Sequence, residues 1–255
     1  MIRDIAKSSE RQTCTVATAG WAIPRAVAEH FPARGTRLER YAARFDAVEI
    51  NSTFYRRHRA STYARWAATT PEHFRFAVKL PRTITHEARL AGAMPLASTF
   101  RSEVQELGRK LGPLLVQLPP SLAFDNEVAE PFFAGLRDLW AEAIVCEPRH
   151  ESWVEDDADA LLAAYRVGRV AADPPRHPAA AAPGGFKGLT YWRLHGSPKM
   201  YYSAYDEAWL GALSAELRKP QRHEAWCVFD NTASGAASAN ALSLQAMLTS
   251  RQGSK

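Results

Sequence analysis

Residues 114–147 read LLVQLPPSLAFDNEVAEPFFAGLRDLWAEAIVCE, and this stretch decides the fold class. The short apolar runs at its two ends, 114–118 and 143–147, predict buried β-strands. Between them apolar residues recur at helical spacing, as Phe132 and Leu136 do, and predict an amphipathic helix. A helix between two such strands is the connection that joins parallel strands of one sheet.

The same pattern extends in both directions along the chain. Short apolar and β-branched runs predict eight strands, at 15–19, 47–51, 75–79, 114–118, 143–147, 167–172, 190–195 and 225–231. Segments with helical spacing separate most of these runs. Eight repeats within 255 residues predict one α/β domain over residues 1–255, a (β/α)8 barrel of the TIM type. An open, doubly wound parallel sheet is the alternative.

Three segments depart from this alternation. Residues 173–185 read DPPRHPAAAAPGG, in which four prolines and two glycines predict an irregular loop after the sixth strand. The polar ends, 1–12 and 250–255, are predicted to be flexible.

The composition is typical of a soluble globular protein, with 46% hydrophobic and 23% charged residues. Since the chain has neither an apolar run of roughly 18 to 20 residues nor a signal-peptide core at residues 1–13, we expect a cytoplasmic protein without a membrane partner. The scattered Cys14, Cys146 and Cys227 suit neither a disulfide framework nor a CxxC metal site. We therefore interpret all three as small buried residues.

The formal net charge of +5 gives only weak support for a nucleic-acid partner. The 25 arginines and seven lysines are spread along the chain, whereas a phosphate-binding surface more often has a basic run interleaved with aromatic residues. The sequence does not indicate an oligomeric state.

Polar residues follow the predicted strands. In a parallel barrel the carboxyl ends of all strands meet at one rim, so residues there converge in space. The strand ends supply Gly20, Trp21, Glu49, Asn51, Lys79, Gln117, Glu147, Arg149, His150, Asp173, Arg193, His195 and Asn231.

Because side chains alternate between the faces of a strand, three strand ends each place two polar residues on one face. These pairs are Glu49 with Asn51, Glu147 with Arg149, and Arg193 with His195. Ionisable groups beside apolar strands are costly to bury unless they are paired, so we expect these residues to pair around a hydrated cleft. A purely structural salt bridge between Glu147 and Arg149, with His195 as a hydrogen-bonded core residue, is the alternative.

Longer motifs occupy the same positions: GW at 20–21, EINSTFY at 49–55, FAVKLPRTITH at 76–86, LGP at 111–113, QLPPS at 117–121 and RLHG at 193–196. Single matching residues are Glu147, Arg149, His150, Ser152, Trp153, Asp173, Tyr202, Tyr205, Asn231, Thr232 and Asn240. With these motifs nearly the whole chain resembles the YecE-like proteins, domain of unknown function family 72. The resemblance implies a barrel fold and no established activity.

The sequence differs from the family pattern at three places. Ala22, Ile23 and Pro24 stand where the family has an aromatic pair, and Pro148 replaces a common aromatic residue before Arg149. Asp230 occupies a position where asparagine is frequent. The first two differences alter one wall of the expected cleft.

The first functional hypothesis is a metal-independent enzyme that acts on a small anionic substrate by acid–base chemistry, without a cofactor. Carboxylates and imidazoles with shifted pKa values can transfer protons, and we assign catalysis to Glu49, Glu147, Asp173 and His195. Guanidinium and ammonium groups bind phosphate or carboxylate oxygens. The substrate-binding residues are accordingly predicted to be Asn51, Lys79, Gln117, Arg149, His150, Arg193, Tyr202 and Asn231.

Two alternatives remain. Glu147, Asp173 and His195 could bind a divalent metal in a hydrolase or isomerase, although Arg149 and Arg193 would compete for the carboxylates. A binding protein for nucleic acid or sugar phosphates is the second alternative, with bases or sugars stacked on aromatic residues. The aromatic candidates are Trp21, Phe54, Tyr55, Trp153, Tyr202 and Tyr205.

Overall fold

The computed structural model describes residues 14–219 and 224–250 and shows an α/β fold. The strands are β1 (Cys14–Thr18), β2 (Ala47–Ile50), β3 (Arg75–Lys79), β4 (Leu111–Gln117), β5 (Ile144–Glu147), β6 (Val167–Arg169), β7 (Ala171–Asp173), β8 (Gly184–Gly185), β9 (Leu189–Leu194) and β10 (Glu224–Phe229). The α-helices are α1 (Arg37–Ala42), α2 (Ala60–Ala68), α3 (Met94–Val104), α4 (Asn126–Leu139), α5 (Asp156–Ala164), α6 (Glu207–Leu217) and α7 (Ala236–Thr249). The alternation predicted from the sequence is therefore confirmed.

Hydrogen bonds join the strands into two sheets, in the orders β1-β10-β9-β7 and β2-β3-β4-β5-β6-β8. Every strand pair is parallel except β6 with β8. Between β1 and β2 the ladder is a single bridge, Ala19 to Glu49. Over the described residues the strands thus form two parallel-rich sheets, and the closed barrel stays a prediction.

The predicted sixth strand, 167–172, is divided at Val170 into β6 and β7. The two parts belong to different sheets, because β6 pairs with β5 whereas β7 pairs with β9. The amide of Val170 donates to the carbonyl oxygen of Cys146 at 2.8 Å. The chain therefore passes directly from one sheet into the other at this residue.

In the described chain, α1, α4 and α6 begin at residues whose side chains accept from a free amide group of the first turn. Thr36 and Glu39 form a reciprocal capping box at the start of α1. At the start of α6, Asp206 Oδ1 accepts from the amide of Trp209 at 2.8 Å. Each helix then buries an apolar face, as α4 does with Phe132 and Leu136. An outer layer of helices is thereby fixed against the strands.

A smaller apolar group, separate from the main hydrophobic core, consists mainly of strand residues, and we call it the inner cluster. Its residues come from both sheets: Ala17, Ala19, Ala47, Ala77, Leu115, Val145, Val170, Leu189, Tyr191, Trp226 and Val228. Alanines on β1, β2 and β3 leave room for Tyr191 and Trp226, whose rings stack with centroids 6.0 Å apart. Because side chains alternate, the residue two positions further along each strand points the same way.

The segment predicted as an irregular loop, 173–185, contains short ordered elements. Pro178–Ala181 forms a 3-10 helix, and β8 pairs antiparallel with β6. Buried Arg169 holds the segment, since its guanidinium donates to the carbonyl oxygen of Ala179 at 3.0 Å and to Asp159 Oδ1 at 2.7 Å. The prediction of a wholly irregular loop is corrected in this respect.

In residues 14–219 and 224–250, none of the helices has the length and apolar character needed to cross a membrane. The predicted flexible ends, 1–12 and 250–255, lie outside the described residues except for Ser250, which ends α7.

Candidate functional site

Strand alternation brings charged and polar side chains together at the carboxyl ends of the strands. Glu49 follows Ala47, Lys79 follows Ala77, Glu147 follows Val145, and Arg193 follows Tyr191, each two residues after a member of the inner cluster. We call the group they form the strand-end cluster. It consists of Glu49, Lys79, Gln117, Glu147, Arg149, Arg193, His195 and Asp230.

Arg193 lies at the centre of this cluster and is fully buried. Its Nε and Nη2 donate to the two carboxylate oxygens of Glu49 at 3.1 and 2.7 Å. Nη1 donates to Glu147 Oε2 at 2.8 Å, and Nη2 also lies 3.1 Å from Asp230 Oδ2. A planar guanidinium suits such forked contacts. Each of the three guanidinium nitrogens of Arg193 therefore has a carboxylate partner.

Glu147 accepts hydrogen bonds on both carboxylate oxygens. Oε2 accepts from Arg193 and from Gln117 Nε2 at 3.1 Å, whereas Oε1 lies 3.0 Å from Arg149 Nη2 and 2.9 Å from His195 Nε2. Burial alone would raise the pKa of Glu147, but the charges of Arg193, Arg149 and His195 hold it well below its usual value. Glu147 is therefore a carboxylate at neutral pH.

Both ring nitrogens of His195 face carboxylates. Nδ1 lies 3.0 Å from Asp230 Oδ2, and Nε2 lies 2.9 Å from Glu147 Oε1. Burial lowers the pKa of His195, but the neighbouring Glu147 and Asp230 outweigh it and raise the pKa above its ordinary value. The imidazolium form can donate to both partners at once.

Lys79 differs from the other cations of the cluster. Its Nζ donates to Asn51 Oδ1 at 3.1 Å and lies 4.2 Å from the centre of the Phe54 ring. Burial and the charge of Arg193 lower its pKa to about 8, although nearby carboxylates oppose that shift. Within the described chain, no carboxylate oxygen forms an ion pair with Lys79.

Seven of the residues predicted for the site thus lie in the cluster, and an eighth, Asn51, contacts it through Lys79. The pairing expected between acidic and basic strand-end residues is confirmed. The cleft, however, is packed rather than hydrated at its centre, since Glu49 and Arg193 are 0% exposed. Cavities of about 170 and 710 Å³ lie elsewhere, the first beside Phe54 and the second beside Trp153.

Four predicted site residues have other contacts. Asp173 Oδ1 accepts from Tyr205 Oη at 2.8 Å and belongs to none of the cluster's ion pairs. His150 Nδ1 accepts from the amide of Ser152 at 3.2 Å and caps the 3-10 helix Glu151–Val154. These two residues shape loops because the chain turns away from the strand after each strand end.

Asn231 and Tyr202 also lie outside the cluster. Asn231 Nδ2 donates to the carbonyl oxygen of Ser203 at 3.0 Å and to Asn240 Oδ1 at 2.9 Å. The ring of Tyr202 is exposed and lies 4.4 Å from Lys199 Nζ. Asn231 therefore tethers the loop after β9 to α7.

Sequence reasoning missed two members of the site region, Asp230 and Tyr191. Asp230 follows Trp226 and Val228 on the inner face of the last strand, whereas Asn231, the residue predicted, points to the opposite side. Tyr191 precedes Arg193 on the inner face and donates to Glu49 Oε2 at 2.9 Å. Counting by twos from the apolar inner residues would have found both.

The aromatic set of the nucleic-acid alternative is partly inaccessible. Phe54, Trp153 and Tyr205 are buried, with Trp153 stacked edge-on against Phe124 and Tyr205 parallel to Trp209. Bases cannot stack on rings that are covered in this way.

The sequence profile described as "Protein of unknown function DUF72" matches residues 15–255. The chain belongs to the DUF72 family. This DUF72 protein is 37% identical over 84 residues to the UPF0759 protein YecE of Escherichia coli strain K12. That match covers 33% of the chain and spans 31% of the length of the relative.

Two solved DUF72 structures share the fold. A family protein of Enterococcus faecalis V583 superposes with a TM-score of 0.77 at 20% identity, covering 94% of this chain and 96% of that one. A family protein of Thermotoga maritima MSB8 gives 0.75 at 24% identity, covering 93% and 100%. The fold of this DUF72 protein is therefore that of its family, whose function is unknown.

The metal alternative gains no support from the donor arrangement. Across residues 14–219 and 224–250, no group of three or more His, Cys, Asp or Glu side chains is arranged to hold a metal ion. The three donors considered from the sequence are divided, since Asp173 contacts Tyr205 whereas Glu147 contacts His195.

Proposed function

We propose that the two sheets are the halves of one eight-stranded barrel, in which β6 and β7 count as one strand and the antiparallel β8 is not counted. The strand-end cluster is the proposed active site at its rim. Contacts between the sheets support closure: Tyr191 and Arg193 of β9 both contact Glu49 of β2. Arg193 also contacts Glu147 of β5. The inner cluster, drawn from strands of both sheets, is the packed interior such a barrel requires. Active sites of barrel enzymes lie at the carboxyl ends of the strands.

The proposed substrate is a small anion that carries a phosphate or carboxylate. With His195 protonated, the strand-end cluster has one more positive than negative charge. The acidic members are Glu49, Glu147 and Asp230, and the basic members are Lys79, Arg149, Arg193 and His195. An anion would compensate this excess, and in a poorly hydrated site the attraction exceeds that in water.

Two cations have donors available for that anion, and this observation carries the proposal. Arg193 has a carboxylate partner at each guanidinium nitrogen. Among the described residues Arg149 has a single carboxylate partner, Glu147, and its neutral contacts are the Met200 sulfur at 3.9 Å and a hydrogen bond with the Tyr201 side chain. In the same part of the chain, Lys79 donates to Asn51 alone. Arg149 and Lys79 would therefore bind the anionic group while Asn51 and Gln117 orient it.

Proton transfer is assigned to His195 and Glu147. A raised pKa favours the imidazolium form of His195, and its Nε2 lies 3.4 Å from Arg149 Nη2, on the side where the anion would bind. Glu147, held as a carboxylate, can accept the proton that His195 shares with it. Glu49 is engaged on both oxygens and would keep Arg193 in place rather than react.

The proposed chemistry is independent of metal. Both oxygens of Glu147 and both ring nitrogens of His195 have protein partners, so a metal would have to displace Arg149 or Arg193 before it could bind them.

Calorimetric titration with inorganic phosphate tests the anion site. We expect wild-type protein to bind phosphate and Arg149→Gln to bind it at least about tenfold more weakly, because a charge-assisted contact contributes roughly 1.5–3 kcal/mol. Arg89→Gln is the matched control, since Arg89 contacts Ser121 away from the cluster. Equal affinity in wild type and Arg149→Gln would reject the proposed site.

A further inference from the structure

Among the residues that the structure describes, two lysines are buried, and their ammonium groups have very different surroundings. Lys110 Nζ donates to the carbonyl oxygens of Ala67 and Thr70 at 2.6 and 2.7 Å and to Thr70 Oγ1 at 3.4 Å. Its three N–H donors are thus all matched by acceptors. Lys79, 4% exposed, has a single recorded acceptor in the described chain, Asn51 Oδ1.

The carboxylates nearest to Lys79 are committed elsewhere. Glu49 is held by Arg193 and Tyr191, and Asp230 by Arg193 and His195. Their charges still reach Lys79, together with that of Glu147, while Arg193 repels it and His86 lies close enough to be influenced by it. Burial and Arg193 prevail, so the ammonium of Lys79 is poorly stabilised.

A lysine in this setting is chemically distinct from a surface lysine. Because its pKa is about 8, roughly a tenth of Lys79 is a neutral amine at pH 7, whereas an ordinary lysine is neutral in well under about a hundredth of molecules. The neutral amine is the nucleophilic form. Desolvation beside a second cation is a known way of activating a lysine toward carbonyl groups.

We propose that Lys79 Nζ is a covalent nucleophile that forms a Schiff base with the carbonyl group of an anionic substrate, an aldehyde or ketone that carries a carboxylate or phosphate. The inference rests on the proposed function, because Arg149 would bind the anionic group of that substrate, and it deepens the function by naming the substrate class.

The step balances without an oxidant or reductant. The nitrogen lone pair attacks the carbonyl carbon, a C–N bond forms, and the C–O π pair moves to oxygen. Oxygen takes a proton, nitrogen loses one, and the resulting carbinolamine expels water after a second protonation at oxygen. The product is a protonated imine plus water. Its positive charge remains beside the carboxylates of Glu49, Glu147 and Asp230, which stabilise a charge at this nitrogen.

Reductive trapping on the full chain tests the proposal. The protein is incubated at about pH 7 with sodium cyanoborohydride and either pyruvate, an anionic ketone, or propionaldehyde, a neutral aldehyde. Hydride reduces an imine to a stable secondary amine, which peptide mass spectrometry locates. We expect propionaldehyde to modify Lys79 at least about tenfold faster at pH 7 than the exposed residues Lys187, Lys199 and Lys219, because a lysine with a pKa of about 8 has a larger neutral fraction than an ordinary lysine.

Pyruvate extends the test to the anionic group. We expect it to modify Lys79 selectively, and Arg149→Gln to slow that reaction while leaving the propionaldehyde reaction unchanged. Lys199→Arg is the control that should retain both adducts at Lys79, and Lys79→Arg should lose both. Because the selectivity for Lys79 is mapped in wild-type protein, that part of the result does not depend on the folding of any variant, and the unchanged propionaldehyde reaction shows that Arg149→Gln is folded.

The outcomes separate the two proposals. Propionaldehyde modification of Lys79 no faster than of Lys187 or Lys199 would overturn the Schiff-base inference, even if phosphate binding depends on Arg149. Selective propionaldehyde modification with no dependence of the pyruvate reaction on Arg149 would support the nucleophile and overturn the anionic substrate class.

Discussion

The two ends of the parallel strands bury charge in different ways. At the amino ends, Lys110 lies just before β4, and its ammonium group donates hydrogen bonds to backbone carbonyl oxygens and a hydroxyl. At the carboxyl ends, Arg193 is neutralised by side-chain carboxylates from other strands, and Lys79 is left with one neutral partner. Lys110 thus joins α2 to the strand layer. At the carboxyl ends, in contrast, the ion pairs of the strand-end cluster surround Lys79, a cation with few hydrogen-bond partners.

This contrast distinguishes a buried charge that stabilises the fold from a buried charge that is available for binding or proton transfer. A lysine that fills three acceptors gains nothing from a ligand, because every donor is already used. A lysine with one acceptor, beside a saturated arginine, can gain from an anion or lose its proton. The same distinction applies in barrel enzymes generally, where the amino-terminal face serves stability and the carboxyl-terminal face serves activity.

Removing the centre of the network should have the largest effect on stability. Arg193→Met leaves the carboxylates of Glu49, Glu147 and Asp230 buried without their main counter-charge. We expect the free energy of unfolding to fall by about 3–5 kcal/mol, the usual cost of breaking a buried ion pair from one side. Urea unfolding followed by circular dichroism measures it. A loss below about 1 kcal/mol would show that the network is not a buried ionic unit.

Substitutions of the two buried lysines should change the free energy of unfolding less than Arg193→Met does, and their difference distinguishes a structural lysine from a lysine of the site. Lys110→Met removes the ammonium hydrogen bonds to the carbonyl oxygens of Ala67 and Thr70, so the free energy of unfolding should fall by about 1–3 kcal/mol. Lys79→Met removes a poorly stabilised charge and one hydrogen bond, and should change it by less than about 1 kcal/mol.

Paired urea titrations of these two variants check the comparison. A larger loss for Lys79→Met than for Lys110→Met would mean that Lys79 is a structural residue, which contradicts its assignment to the site.

The smallest expected effect is a pH dependence from His195. Its folded-state pKa is raised, so the stability that it contributes is fully present below its unfolded pKa of about 6.5 and is lost as pH rises through the folded value. Glu147 and Asp230, whose pKa values are lowered, lose their contribution only in acid, and Arg149 and Arg193 do not titrate in this range.

Unfolding measured from about pH 6 upward in wild type and His195→Gln checks the sign. Wild-type stability should decline between about pH 6.5 and 8, and the decline should be reduced in His195→Gln. Above about pH 8 the lowered pKa of Lys79 adds a contribution of opposite sign, which both proteins share. An identical slope in both proteins would show that His195 does not hold an extra proton in the folded state.

The strands and much of the candidate site could be predicted from the sequence, because both depend on local periodicity. Alternation along single strands predicted that Glu147 and Arg149, and Arg193 and His195, share a face, and both pairs lie in the cluster. Strand boundaries were within a few residues of those observed, apart from the division at Val170, which depends on which neighbouring strand each half meets.

What the sequence could not supply depends on tertiary contacts. Asp173 ends a strand as predicted, yet its carboxylate is taken by Tyr205, which lies 32 residues later in the chain. The α-helix α2, Ala60–Ala68, was not predicted from the sequence, and it buries a single residue, Tyr63. The dryness of the cluster centre also follows from packing and not from residue order.

The titration of Lys79 tests the central claim most directly, that the carboxyl ends of the strands hold an underused cation suited to an anion. In ¹⁵N-lysine-labelled protein, side-chain NMR should show one lysine with a pKa of about 8, absent in Lys79→Arg, and inorganic phosphate should raise that pKa. A Lys79 pKa near the ordinary value of about 10.4, unchanged by phosphate, would contradict the account.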